Sequence, residues 1–204
     1  MARINSVPLH LSWSATDEET AADDLVHQLQ RRRLKNGAWQ NIGTFTDAQA
    51  LTSLPLWRWY QYRVRSQDEA GTWSEWAYSK PVKYFRRSET NFTRSAGWTR
   101  PTMAGAMGGR VARSSTVGAT ARLKFTGDGV ALVMPAGAGQ GSIEACIDPG
   151  KPAEDCRVID LAAFTPTGPR RLVVVFADLA LAEHVLRVRV VSGTVNLDGA
   201  IFSR

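Results

Sequence analysis

The chain is poor in histidine and poorer in cysteine, with three His and two Cys in 204 residues. Ligand clusters at zinc-finger or ribbon spacing do not occur, so a metal site has little support. No apolar run approaches the roughly 20 residues needed to cross a bilayer, and no transmembrane segment is read. The N-terminus MARINSVPLHLSW lacks an apolar h-region, so no signal peptide is visible. Helical periodicity is scarce too. DEETAADDLVHQL, the best candidate, reads as an acidic loop leading into a strand.

Catalytic signatures are equally thin. GSIEAC is no nucleophile elbow, because no strand–turn–helix follows it. The glycine-rich GAMGGR and GAGAGQG precede no helix that would cradle a phosphate, and read as loops. His10, His27 and His184 have no local partner motif. Asp160, Asp178 and Asp198 fall at strand ends, where turn-fixing carboxylates are usual, and Asp198 in NLDGA reads as one of these. The expectation is a protein without catalysis and without a cofactor.

Charge is present in excess but not concentrated. The net charge is +6 with a pI near 9.7. Residues 1–87 hold 12 Lys/Arg against 9 Asp/Glu, and residues 88–204 hold 13 against 10. A nucleic-acid footprint is normally clustered, so that partner is disfavoured. The one local cluster is Arg31, Arg32 and Arg33 with Lys35. It defines a polyanion-binding reading whose mark is a steep salt dependence.

What the chain does have is tryptophan, unevenly spread. Six of the seven lie at or before Trp76, and only Trp98 follows. The second half is instead rich in Gly, Ala and Val. This break marks two domains, 1–87 and 88–204, with the join in the polar segment RRSETNFTRSAG. Short alternating runs divided by turn residues recur along both halves: VPLHLSW, WYQYRVRS, ARLKFTG, GVALVM, RLVVVF and HVLRVRVV. They predict an all-β protein of two β-sandwich domains in tandem. Asn36-Gly37 predicts a two-residue hairpin turn.

In WRWYQYRVR a period of two puts Tyr60, Tyr62 and Val64 on one face, toward a core with Trp13. Trp59, Gln61, Arg63 and Arg65 then point the other way. Trp13, Leu54-Pro55, Tyr60, Tyr62, Val64 and Ser66, followed by SQDEAGTWSEW, resemble a fibronectin type III domain over about residues 5–85. In the related cytokine-receptor domains a WSxWS motif stacks on arginines of the neighbouring strand. Here the motif reads WSEWA, with Ala77 in the last place. The resemblance implies a structural ladder of Arg63, Arg65, Trp73 and Trp76, against the alternative of a ligand platform. Trp57, Trp59 and Trp39 have no such account, and exposed Trp57 and Trp59 would suit a protein partner.

The second half carries Phe125-Thr126-Gly127 with Val130, then IEACIDPG, then His184-Val185-Leu186-Arg187-Val188, and Val195 to Gly199 with Ala200-Ile201-Phe202. This order resembles the galactose-binding-like, carbohydrate-binding-module-like jelly rolls of secreted bacterial proteins. The glycine before the family's histidine is Glu183 here, which puts that turn in doubt. Cys146 and Cys156 flank IDPGKPAED. They read as a disulfide across a hairpin, implying an oxidising compartment, with two reduced thiols as the alternative. The loop they would staple, with Asp148 and Lys151, is a candidate recognition tip beside the plainer reading of a stapled turn. Modules of this kind bind sugar at end loops with a stacked aromatic ring. That implies Trp98 as a ligand-binding residue, with a core anchor as its alternative.

The expected function is therefore a non-catalytic extracellular or cell-surface module pair, part of a larger secreted protein, contacting glycan or cell-wall polysaccharide. The alternative is a structural subunit of a surface, phage or virion assembly acting through protein contacts.

Overall fold

A computed structural model describes residues 6–204. The start of the expected first domain, residues 1–5, lies outside the described residues. Among the described residues the regular structure is nearly all strand, with two short 3-10 turns, at Ala22–Asp24 and Glu89–Asn91. Two compact units divide at Tyr84 and Phe85.

The first unit has six strands: β1 (Ser6–Ser12), β2 (Val26–Arg33), β3 (Gln40–Phe45), β4 (Gln49–Pro55), β5 (Tyr60–Gln67) and β6 (Ala77–Tyr78). β1 pairs with β4, and a second sheet runs in the order β3-β2-β5-β6. Alternation along β2 sorts the side chains. Leu25, His27 and Leu29 are buried, while Gln28, Gln30 and Arg32 lie on the opposite face. Leu54, Leu56 and Tyr62 join the buried set. Trp13 meets His27 and Phe45 edge-on, with ring centroids at 5.5 and 6.1 Å.

The hairpin expected at Asn36-Gly37 forms differently. β2 and β3 pair out to Arg31 and Gln40, and the left-handed residue is Lys35, at φ 82°. Gly37 instead donates its amide to Arg33 O, and a Cβ there would fall 2.6 Å from that oxygen. Glycine is required by close approach rather than by a two-residue turn.

The second unit has eleven strands: β7 (Tyr84–Ser88), β8 (Thr93–Arg94), β9 (Ala112–Ser114), β10 (Thr120–Gly127), β11 (Gly129–Ala136), β12 (Ser142–Ile147), β13 (Asp155–Asp160), β14 (Gly168–Phe176), β15 (Ala182–Ser192), β16 (Val195–Leu197) and β17 (Gly199–Ser203). One sheet runs β13-β12-β15-β10-β8, another β14-β11-β17-β7, and β16 pairs with β9. Inward residues of both larger sheets form one core, including Leu123, Phe125, Leu132, Met134, Ile143, Leu186, Val188 and Phe202. Every residue of β11 is buried, which explains its unbroken apolar run.

The segment read as a polar join is structured. Residues 84–88 pair as an edge strand, and Thr93–Arg94 pairs with β10. Its polarity reflects half-exposed edge strands rather than a linker. β7 packs so closely that a Cβ on Gly199 would fall 2.1 Å from Arg87 O.

Candidate functional site

Trp98 lies at one end of the second sandwich. Thr99 and Arg113 exchange backbone hydrogen bonds at 2.8 and 2.9 Å, which ties the Trp98 loop to β9. Arg113 Nε donates to Asn196 Oδ1 at 2.8 Å, and Asn196 Nδ2 donates to Gln140 Oε1 at 2.9 Å. Asn196 is buried between Val195 and Leu197 in β16. Both ends of its amide are engaged, so its orientation is fixed. The two Nη atoms of Arg113 and the Nε2 of Gln140 have no protein partner among the described residues and touch solvent. Trp98 is half-buried and packs on the core, with Nε1 enclosed and unpartnered. The result is a fixed set of hydrogen-bond donors on the outer face of the β9–β16 pair, while Trp98, next to Thr99, turns inward to the core.

Arg113, Asn196 and Gln140 escape a sequence reading because they sit 56 and 83 residues apart in bonded pairs. One local signal existed. Asn196 interrupts the apolar closing run TVNLDGAIF at a position whose neighbours on both sides are core residues.

Asp148 and Lys151 lie at the opposite end. Asp148 N donates to Val185 O at the start of β15, whereas Trp98's end holds the finish of β15 and the start of β12. The six residues of β12 separate the two by about 17–20 Å. Trp98, Asp148 and Lys151 thus do not form one site. Asp148 is buried and fully engaged: it accepts from Val185 N at 2.9 Å, faces His184 Nδ1 at 2.7 Å and pairs with Lys151 Nζ at 3.2 Å. Burial works against its charged form, but His184, the Val185 amide and Lys151 together hold its carboxyl below the usual range. This is the chemistry of a pinned turn, not of a ligand tip. His184 Nε2 is taken up by Ala180 O at 2.8 Å.

Cys146 and Cys156 face each other across β12 and β13 and form a disulfide. In the chain-entropy picture a loop this short contributes about 3 kcal/mol. Glu144, Cys146 and Cys156 are the group of three that falls within ligand-binding reach among the described residues. With both sulfurs oxidised, the group offers no thiolate to a metal.

Asp198, between β16 and β17, does more than turn the chain. It is wholly buried, and its carboxyl oxygens accept from Met107 N at 2.8 and 3.1 Å, holding the 101–110 loop. Burial pushes its pKa up to about 6 against the pull of the Met107 amide and Arg170, with Glu89 adding to the rise. A raised carboxyl contributes no penalty below its unfolded value of 3.8, a growing one between 3.8 and about 6, and a constant one above that. Asp198→Asn therefore gains about 1–2 kcal/mol relative to the native chain above pH 7, and nothing below pH 4. Urea titrations across that range read the difference.

The first unit holds a stack of six rings and cations. In order it runs Arg32, Trp39, Arg63, Trp76, Arg65, Trp73, with guanidinium carbons 4.6, 4.3, 4.0, 4.6 and 4.3 Å from successive ring centroids. The four residues of the expected ladder are all in it. Trp39, taken as an unexplained ring, extends it, and Arg32 caps it. Arg31 and Arg33 alternate away from Arg32, with Arg31 bonded to Ser53 O, so the basic run of the sequence is not one patch. Trp57 and Trp59 remain 42% and 36% exposed in the β4–β5 connection.

His27 Nδ1 meets Ser66 Oγ at 2.8 Å, a pairing that a sequence cannot show. Burial lowers the pKa of His27, and its Nε2 has no partner. A hydrolytic dyad needs an orienting group on that nitrogen; here the two residues are cross-strand partners in register.

No family model and no curated protein matches the chain. Among solved structures, a family two carbohydrate esterase from Cellvibrio japonicus is similar at 15% identity, over 60% of this chain and 34% of that one, with a TM-score of 0.46. An exo-beta-1,3-galactanase from Phanerochaete chrysosporium is similar at 13% identity, over 98% and 54%, with a TM-score of 0.45. A structure of carbohydrate-binding modules from the beta-sandwich super family is similar at 14% identity, over 99% and 93%, with a TM-score of 0.38. The chain spans about a third of the length of the esterase chain.

Proposed function

We propose that the second sandwich binds a glycan at its Trp98 end, without catalysis, and that the first is a fibronectin type III-like spacer. The observation that carries this is the Arg113–Asn196–Gln140 network. Sugar hydroxyls are recognised by planar amide and guanidinium groups held in place. Asn196 holds the other two side chains at defined positions, so little ordering remains to be done on binding. Catalysis is left aside because each histidine has a structural partner, Asp148 and Asp198 accept backbone amides, and Glu89 is paired with Arg100. The disulfide suits an extracellular or cell-surface setting.

Isothermal titration against a panel of neutral oligosaccharides tests the reading. Arg113→Ala and Gln140→Ala each weaken the best ligand about tenfold, while thermal melting stays near the native value. Unchanged affinity in both variants removes the site.

A further inference from the structure

We infer that the Arg–Trp face of the first sandwich is a second binding surface, for a linear polyanionic glycan. The starting point is what the stack does with charge. Arg32, Arg63 and Arg65 lie on one face of the β2–β5 pair, at or opposite positions 61, 63 and 65. Successive positions on a face are about 7 Å apart, so the three guanidiniums form a row about 14 Å long.

Each is held from the side by a glutamine. Gln30 Oε1 accepts from Arg63 Nε and Nη2 at 2.9 and 2.6 Å, Gln28 Oε1 from Arg65 Nε at 2.8 Å, and Gln61 Oε1 from Arg32 Nη2 at 2.8 Å. An indole lies above or below each plane. Neither contact neutralises a charge. No carboxylate of the described residues pairs with any of the three, whereas Arg100, Arg157, Arg187 and Arg189 of the second sandwich all do. Arg63 Nη1, both Nη atoms of Arg65 and Arg32 Nη1 keep solvent contact and no protein partner.

An unpartnered row of cations costs self-repulsion, which an oxyanion relieves. Ordinary surface arginines lose rotamer freedom when they bind; these are already fixed by rings and amides. The forks offer paired donors to sulfate or carboxylate oxygens. Single-stranded nucleic acid is a poorer fit. It binds by stacking bases on open aromatic faces, and both faces of Trp39 and of Trp76 are covered by guanidinium. The matching partner is thus a polysaccharide bearing sulfate or uronate groups.

The test uses the full chain and four probes: dextran sulfate, polygalacturonate, unmodified dextran and a single-stranded oligonucleotide of matched charge. Surface plasmon resonance at 50 and 200 mM salt reads affinity. Dextran sulfate, polygalacturonate or both bind, unmodified dextran does not, and the two charged arms show whether sulfate or carboxylate is preferred. Arg32→Gln, the stack's outermost rung and the variant least disturbing to the fold, weakens binding three- to tenfold. It also lowers the salt slope by about one. Arg65→Gln does the same in protein shown to be folded by its melt. Arg33→Gln removes the same charge from the opposite face and leaves binding within twofold.

Equal losses for Arg32 and Arg33 variants would mean net charge alone, and overturn the surface. So would native affinity in the Arg32 and Arg65 variants, or no binding at 50 mM salt. An oligonucleotide that binds as tightly as the charged glycans overturns the choice of partner. Arg113→Ala keeps this binding, which separates failure here from failure of the Trp98 end.

Discussion

Asp148→Ala destabilises the second sandwich by about 3 kcal/mol, the usual consequence of leaving buried donors without their acceptor. The carboxylate answers three groups at once: the Val185 amide, His184 Nδ1 and Lys151. Alanine leaves the first two enclosed without an acceptor, and His184 is as buried as Asp148 itself. The loss reads out as a lower urea midpoint at pH 7. Its pH dependence identifies the cause. Because the folded carboxyl titrates below its unfolded value of 3.8, its contribution is fully present above that pH and fades as pH falls through the lower folded value. The gap between native and variant stabilities therefore narrows in acid. A constant gap down to pH 2 would assign the effect to packing alone.

Trp76→Ala is expected to destabilise the first unit by about 3 kcal/mol. Trp76 is the middle indole of the stack, with Arg63 on one face at 4.0 Å and Arg65 on the other at 4.6 Å. Each exposed cation–π contact is worth about 0.5–1 kcal/mol, and truncating a large aromatic adds its lost burial. Trp73→Ala removes an end ring with one cation and has about half the effect. Melting followed by circular dichroism orders the two. Equal effects would show that the stack is a set of independent contacts rather than a central ring gripped from both sides.

The sequence exposes most of this architecture for a physical reason. Period-two alternation is a local property, and it placed Tyr60, Tyr62 and Val64 against Gln61, Arg63 and Arg65 without any knowledge of β2. The Trp73–Trp76 spacing and the Arg63–Arg65 spacing are also local, and together they define four rungs. Trp39 and Arg32 join only because β2 pairs with both β3 and β5, a register that no single stretch encodes. The site at the Trp98 end is the same problem at greater range, since Arg113 on β9, Asn196 on β16 and Gln140 in the β11–β12 connection are far apart in the chain and the first two meet only when β9 pairs with β16. Asp148 misled in the opposite direction. A charged residue in a stapled loop suggests a recognition tip, and only its partner His184, 36 residues away, shows that the charge is spent inside.

The glycan reading of the Trp98 end has one decisive measurement: nitrogen–proton NMR of the full chain titrated with the best-binding neutral oligosaccharide, with side-chain signals assigned. Saturable shifts at Asn196 Nδ2, Gln140 Nε2 and Arg113 Nε, with the Arg63 and Arg65 Nε signals unmoved, are the predicted result. Shifts confined to the first unit, or none with any neutral saccharide at millimolar concentration, would contradict it.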